Sequence, residues 1–157
     1  MPLRIMLDTM ICDRLIATPM LNQLNELVAF GELDILTTHV QEDELAGIRD
    51  PSKWAAASRV PRRGIPTAIF VVGISRLGLA RLREPIQGGV EYDDIRTENG
   101  RHVRDAVIAC TAARDADILV TEDRRLAHRV RRSAESLRVW SFDDLAIHIE
   151  ALTAGLK

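Results

Sequence analysis

The sequence predicts one α/β domain on a mainly parallel sheet. Short runs rich in Leu, Ile and Val, at 3–7, 33–37, 68–72, 117–121 and 138–140, are separated by stretches with helical periodicity. A chain of 157 residues suits a single domain with a sizeable core. No repeat, low-complexity tract or linker divides it, so the predicted domain is 1–157.

Each element has a local reason. LRIML at 3–7 reads as the first strand, followed by a helix over 10–17. Thr18-Pro19 predicts a cap and first helical position for a helix reaching Phe30, which Gly31 ends. LDILT at 33–37 is the second strand. Thr38 and Gln41 have the spacing of a capping box for a helix over 39–48. Asp50-Pro51 opens a short helix through WAAAS. Residues 59–66, with two prolines and a glycine, read as loop; 68–72 reads as a strand and 75–83 as a short helix. The stretch 85–101 holds Pro, adjacent glycines and Asn-Gly, and reads as loop. A helix over 102–115, a strand at 117–121, a helix over 123–134, a strand at 138–140 and a helix over 143–154, capped by Ser141 or Asp143, complete the chain.

Composition narrows the function classes. A net charge of −2 predicts neither a basic nucleic-acid binder nor an acidic tail. Aromatic residues make up 4 %, so the core must be built from Leu, Ile, Val and Ala. Lys53 and Lys157 are the only lysines among 21 basic residues, which leaves 19 arginines. Arginine offers a planar fork for phosphate or carboxylate, although genomic codon bias yields the same excess. Cys12 and Cys110 sit among apolar residues and read as core thiols rather than a disulfide. The longest apolar run, in AIFVVGI, is too short to span a bilayer, and the N-terminus has no signal-peptide pattern. The expectation is a soluble, cytoplasmic protein.

In open parallel sheets, ligands bind outside the carboxyl ends of the strands. Asp8 follows RIML and Asp123 follows ILVT, so both acids are placed like site residues, and both are equally placed as helix N-caps. On the helix over 39–48, a step of about 100° per residue puts Glu44 on the face of Val40 and Ile48, while Glu42 turns to water. An inward carboxylate is costly unless paired or bound to a cation. Asp105 lies in the first turn of the helix over 102–115, on the stripe of Ala109 and Ala112; a favourable interaction with the helix N-terminus explains it as well. Together, Asp8, Glu44, Asp105 and Asp123 come from four separate elements. Four carboxylates sharing a small volume need a counter-charge. Oxygen donors without His or Cys suit Mg²⁺ or Mn²⁺, and such a metal polarises phosphate and lowers the pKa of an attacking water. The histidines show no zinc-ligand spacing.

These residues resemble a known pattern. LDT at 7–9, LTTHVQEDELAGI at 36–48 with its Glu44-Leu45, and DAVIACTAARDADILVTED at 105–123 are together similar to PIN-domain ribonucleases. Many small members of that family are the VapC-type toxins of type II toxin–antitoxin pairs. The similarity spans about residues 3–150, and the last block is its specific part. It implies a five-stranded sheet in the order 3-2-1-4-5 and a metal-dependent ribonuclease that is often a homodimer. It also implies that Asp8, Glu44, Asp105 and Asp123 hold Mg²⁺ or Mn²⁺, with Thr121 supporting the site. The chain departs from the pattern at Met10 and Glu122, where the family usually has asparagine.

Arg124, Arg125, His128, Arg129, Arg131 and Arg132 share one face of the helix over 123–134. That face reads either as a phosphate-binding surface, with Arg124, Arg125 and Arg131 as candidate RNA contacts, or as an ordinary solvated face. Trp54, Tyr92 and Trp140 form no base-stacking pattern. The helices over 10–30 carry more apolar side chains than one sheet face needs, so part of their surface is a candidate seat for a dimer mate or antitoxin; core packing accounts for it too. Two other classes compete: a silent RNA-binding or regulatory PIN-like domain, and another acidic Mg²⁺-dependent α/β phosphohydrolase. A haloacid-dehalogenase-type phosphatase needs Asp-x-Asp where this chain has Asp8-Thr9-Met10. That phosphatase and a phospho-receiver both need a lysine near a late strand, and Lys53 and Lys157 are badly placed for either.

Overall fold

The computed structural model describes residues 1–81, 102–134 and 136–155. They form an α/β fold around a five-stranded parallel sheet: β1 (Leu3–Leu7), β2 (Leu33–Thr37), β3 (Arg63–Gly64), β4 (Ile118–Val120) and β5 (Arg138–Trp140), in the order β3-β2-β1-β4-β5. Seven described helices flank it: α1 (Thr9–Ile16), α2 (Met20–Ala29), α3 (His39–Ala46), α4 (Pro51–Ala57), α5 (Val103–Asp115), α6 (Arg124–Ser133) and α7 (Phe142–Gly155). The predicted loop 85–101 and Tyr92 lie outside the described residues.

The central strands are apolar on both faces, as a covered parallel sheet requires. Met6, Leu36 and Leu119 point one way, into a core shared with α3, α5 and α6. Ile5, Leu7, Ile35, Ile118 and Val120 point the other way, into a core shared with α1, α2 and α7. The surplus apolar surface of α1 and α2 is largely covered here: Ile11, Leu15, Leu24 and Leu27 are fully buried. Cys12 and Cys110 are free and buried.

The caps follow local chemistry. Thr38 and Gln41 form the predicted capping box. Buried Gln41 also donates its side-chain amide to the carbonyl of Leu7, the last residue of β1. Gly31, at φ 76°, ends α2 in the left-handed region. Ser141 caps α7, accepting from the Asp144 N–H while Asp144 accepts from the Ser141 N–H. Thr18 does not cap α2; its hydroxyl donates back to the carbonyl of Leu15.

The third strand differs from expectation. It is Arg63–Gly64, inside the predicted loop, and 68–72 is not a strand. Arg63 pairs with Leu36 in register and reaches Asp34 of β2 at 2.5 Å. The apolar run after it packs as a strap. Ala68 is buried and donates its N–H to Thr111 on α5, while Ile69 and Val71 lean on the α5–α6 core. Gly73 and Gly78 both take positive φ, and no helix forms between residue 75 and Arg81. The strap closes on itself where Thr67 and Leu79 share a backbone bond of 3.0 Å, and Arg81 pairs with Asp115 at 2.5 Å.

Candidate active site

The carboxyl ends of β1 and β4 lie side by side, since Leu7 pairs with Val120 and the Asp8 N–H donates to the Val120 carbonyl. The order reverses between these strands, which is where open sheets form their ligand crevice. Asp8 therefore stands at this crevice, as the extended residue before α1. It does not cap α1 with its side chain. Its Oδ2 instead accepts from the hydroxyl of Thr121 at 2.7 Å. The same Thr121 oxygen accepts the N–H of Asp123 at 3.1 Å, so one buried hydroxyl links the two strand-end acids.

Burial holds the Asp8 carboxyl above the ordinary carboxylate range. The Thr121 hydroxyl opposes this, while the negative charges of Asp105 and Glu44 add to it. Asp8 has no ion pair among the described residues. Glu44 turns toward α1, where its Oε2 accepts from Thr9 Oγ1 at 2.7 Å; its side chain is 27 % exposed against 45 % for Glu42. Arg104 stands 3.8 Å from its other oxygen, too far for a firm pair. Glu42 is held by Thr37 and by Arg62 at 3.0 Å. Asp105 contacts the Nδ1 of His102 at 3.0 Å.

Asp123 has a different setting. Its Oδ1 caps α6, accepting from the N–H groups of Arg125 and Leu126 at 2.8 and 3.0 Å. Asp8, Glu44 and Asp105 are thus charge neighbours, with Asp123 joined to them through Thr121. Among the described residues, no three His, Cys, Asp or Glu side chains stand close enough to make a ready ligand set for a metal ion. The donor set fits a hard cation in kind, being all oxygen around a half-buried acid that lacks a positive partner among the described residues.

The basic residues fall into two groups. Arg124 and Arg125 are exposed at the start of α6, directly after Asp123. Arg131 is also exposed but donates to the carbonyl of Val139 at 3.1 Å, so it is tied to the outer edge of β5. Glu122, the departure from the resembling pattern, joins Arg14 at 2.8 Å and accepts the N–H of Phe142, with the Arg14 guanidinium 4.2 Å above the Phe142 ring. It is a structural clasp between α1, β4 and α7.

The sequence reading did not single out Thr9, His102 or Arg104. A signal for His102 exists, since residues three apart on a helix are neighbours. Thr9 and Arg104 reach Glu44 only through tertiary packing. No protein-family model matches the chain, and no curated protein matches it. Among the described residues, no helix is long and apolar enough to cross a membrane.

Proposed function

We propose that the chain is a metal-dependent endoribonuclease of the PIN type, acting as the toxin of a toxin–antitoxin pair. The observation that carries this reading is Asp8: a half-buried acid at the sheet's switch point that feels the negative charges of Asp105 and Glu44 and has no ion pair among the described residues. A fold gains nothing from such repulsion unless a cation relieves it. Asp8, Glu44 and Asp105 would hold Mg²⁺ or Mn²⁺, with the free oxygen of Asp123 nearby. When bound, the metal supplies Lewis-acid polarisation of a phosphodiester and a water of lowered pKa.

The protein's own groups do the rest. Thr121 donates a hydrogen bond to one oxygen of Asp8, which fixes that carboxylate's orientation and leaves its other oxygen available. Thr9 does the same for Glu44. Arg124 and Arg125 offer exposed charge to the phosphates of an RNA strand entering beside Asp123. A cognate antitoxin and a homodimer partner belong to the same proposal.

The second reading, a silent RNA-binding domain, is favoured by the capping role of Asp123. One assay separates the two. With Mn²⁺ or Mg²⁺ the chain is expected to cleave single-stranded RNA, and Asp8→Asn to lower the rate about 100-fold or more. RNA binding without cleavage supports the silent domain. Equal cleavage in chelator rejects the metal mechanism.

A further inference from the structure

A second concave site lies beyond the carboxyl ends of β2 and β3, a cleft of about 510 Å³ between the start of α3 and the strap. That volume falls within the roughly 300–1,000 Å³ usual for small-molecule sites. Ile65, Pro66 and Leu79 give it apolar walls. His39, Asp43 and Arg76 supply its polar groups. The cleft is preformed, because the strap is pinned on both sides of it. The Ile65 N–H bonds the Thr37 carbonyl at 2.8 Å, and Arg76 pairs with Asp43 at 2.6 Å. The backbone N–H of Arg76 donates to His39 Nε2 at 3.3 Å. In a neutral His39 ring this leaves the proton on Nδ1, which is buried with no hydrogen-bond partner among the described residues.

We infer that this cleft is a nucleobase pocket, holding one base of the RNA strand whose phosphodiester lies at Asp8. The inference rests on the nuclease reading. Glu42 and Asp43 line the cleft against one arginine, Arg76, so its net negative lining disfavours a phosphate and suits a neutral ligand. The walls cover the flat apolar face of a ring. The Arg76 side chain is 60 % exposed at the opening, and its planar guanidinium can stack on the other face. Arg76 engages one oxygen of Asp43. The second oxygen can accept from an exocyclic amine, as acidic side chains do from cytosine N4. Cytosine therefore fits better than uracil, which presents a carbonyl at the same position. Placement agrees with this occupant. Asp43 and Glu44 are consecutive on α3, so one helix serves both the cleft and the acidic site. Two strand spacings, roughly 10 Å, separate β1 from β3.

The test uses the full chain, with methyl NMR signals of Ile65 and Leu79 followed during titration with cytidine and, separately, uridine. Cytidine is expected to shift both signals, and uridine to need about tenfold more ligand. Gly64 lines the cleft, and the Cβ of a Gly64→Val variant meets no atom within 4 Å. This variant is expected to abolish the cytidine shifts while the remaining spectrum is unchanged. Arg76→Ala is expected to weaken cytidine about fivefold through loss of stacking. No shift with either nucleoside, or equal titrations, overturns the pocket. Cytidine binding by a chain that cannot hydrolyse RNA overturns the nuclease reading and leaves the base pocket standing. Hydrolysis without cytidine binding does the reverse.

Discussion

Two acids of one sheet, Asp117 before β4 and Asp8 after β1, handle charge in opposite ways. At the amino end, acids are matched to arginines. Arg4 holds Asp117 through two side-chain bonds of 2.7 and 3.2 Å, Arg63 reaches Asp34, and Arg81 reaches Asp115. The Arg4 guanidinium draws the Asp117 carboxyl below the ordinary carboxylate range. At the carboxyl end, burial and two negative neighbours push Asp8 the other way. The same residue type on the same sheet is thus stabilised at one end and left in tension at the other. Partnered acids build the fold. Asp8, which has no ion pair among the described residues, is the acid whose charge the proposed cation would compensate.

The sharpest way to break this contrast is to neutralise an acid at the carboxyl end other than Asp8. Glu44→Gln is expected to lower Mn²⁺-dependent RNA cleavage about 100-fold without lowering thermal stability. Unchanged cleavage rates would remove Glu44 from the site. Next comes the amino end. Asp117→Ala strips the Arg4 guanidinium and backbone N–H of their acceptor and is expected to cost about 2 kcal/mol in denaturant unfolding. Its cleavage rate should match the unmodified chain; a parallel loss of activity would erase the distinction between the ends.

The smallest effect is the most diagnostic, because its sign is unusual. Asp8→Asn is expected to raise the Tm of the metal-free protein by about 2–4 °C, the shift that about 1 kcal/mol gives in a chain of this size. The pH dependence follows the same sign. The folded chain binds the Asp8 proton more tightly than the unfolded chain does, so this part of stability is lost as pH rises through the raised pKa. For Asp117, stability is present above the ordinary carboxylate pKa and is lost as pH falls through the lowered one. Unfolding measured across acid and neutral pH should show the first slope vanish in Asp8→Asn and the second in Asp117→Ala. A drop in Tm for Asp8→Asn would mean that its hydrogen bond from Thr121 outweighs the repulsion.

Much of this contrast could be read from the residue order. Asp8 was found from its place after a strand, and the inward turn of Glu44 from helical spacing, because both are local properties of the chain. The third strand was not. Arg63 and Gly64 have no strand pattern of their own; they pair because β2 offers an edge and Asp34 a charge. The AIFVV run breaks the pattern for the complementary reason: Ala68 is buried against α5, Ile69 and Val71 are half-buried on the same core and Val72 is exposed, and hydrophobicity alone does not specify a partner. Of the two readings of Asp123, the structure bears on the cap: its Oδ1 accepts from the N–H groups of Arg125 and Leu126 at the start of α6. The wall formed by the strap depends on two glycines and on Arg76 finding Asp43, contacts with no local signature.

Buried Gln41 has a consequence of its own. By bonding the carbonyl of Leu7, it sets the rotational phase of α3 against the residue just before Asp8. One inserted residue between Gln41 and Glu44 would swing that carboxylate by about 100°, away from Thr9. The interval from Thr38 to Glu44 thus behaves as a ruler with no tolerance for length change. An insertion or deletion within that interval would carry Glu44 off the Thr9 hydroxyl and away from the end of β1.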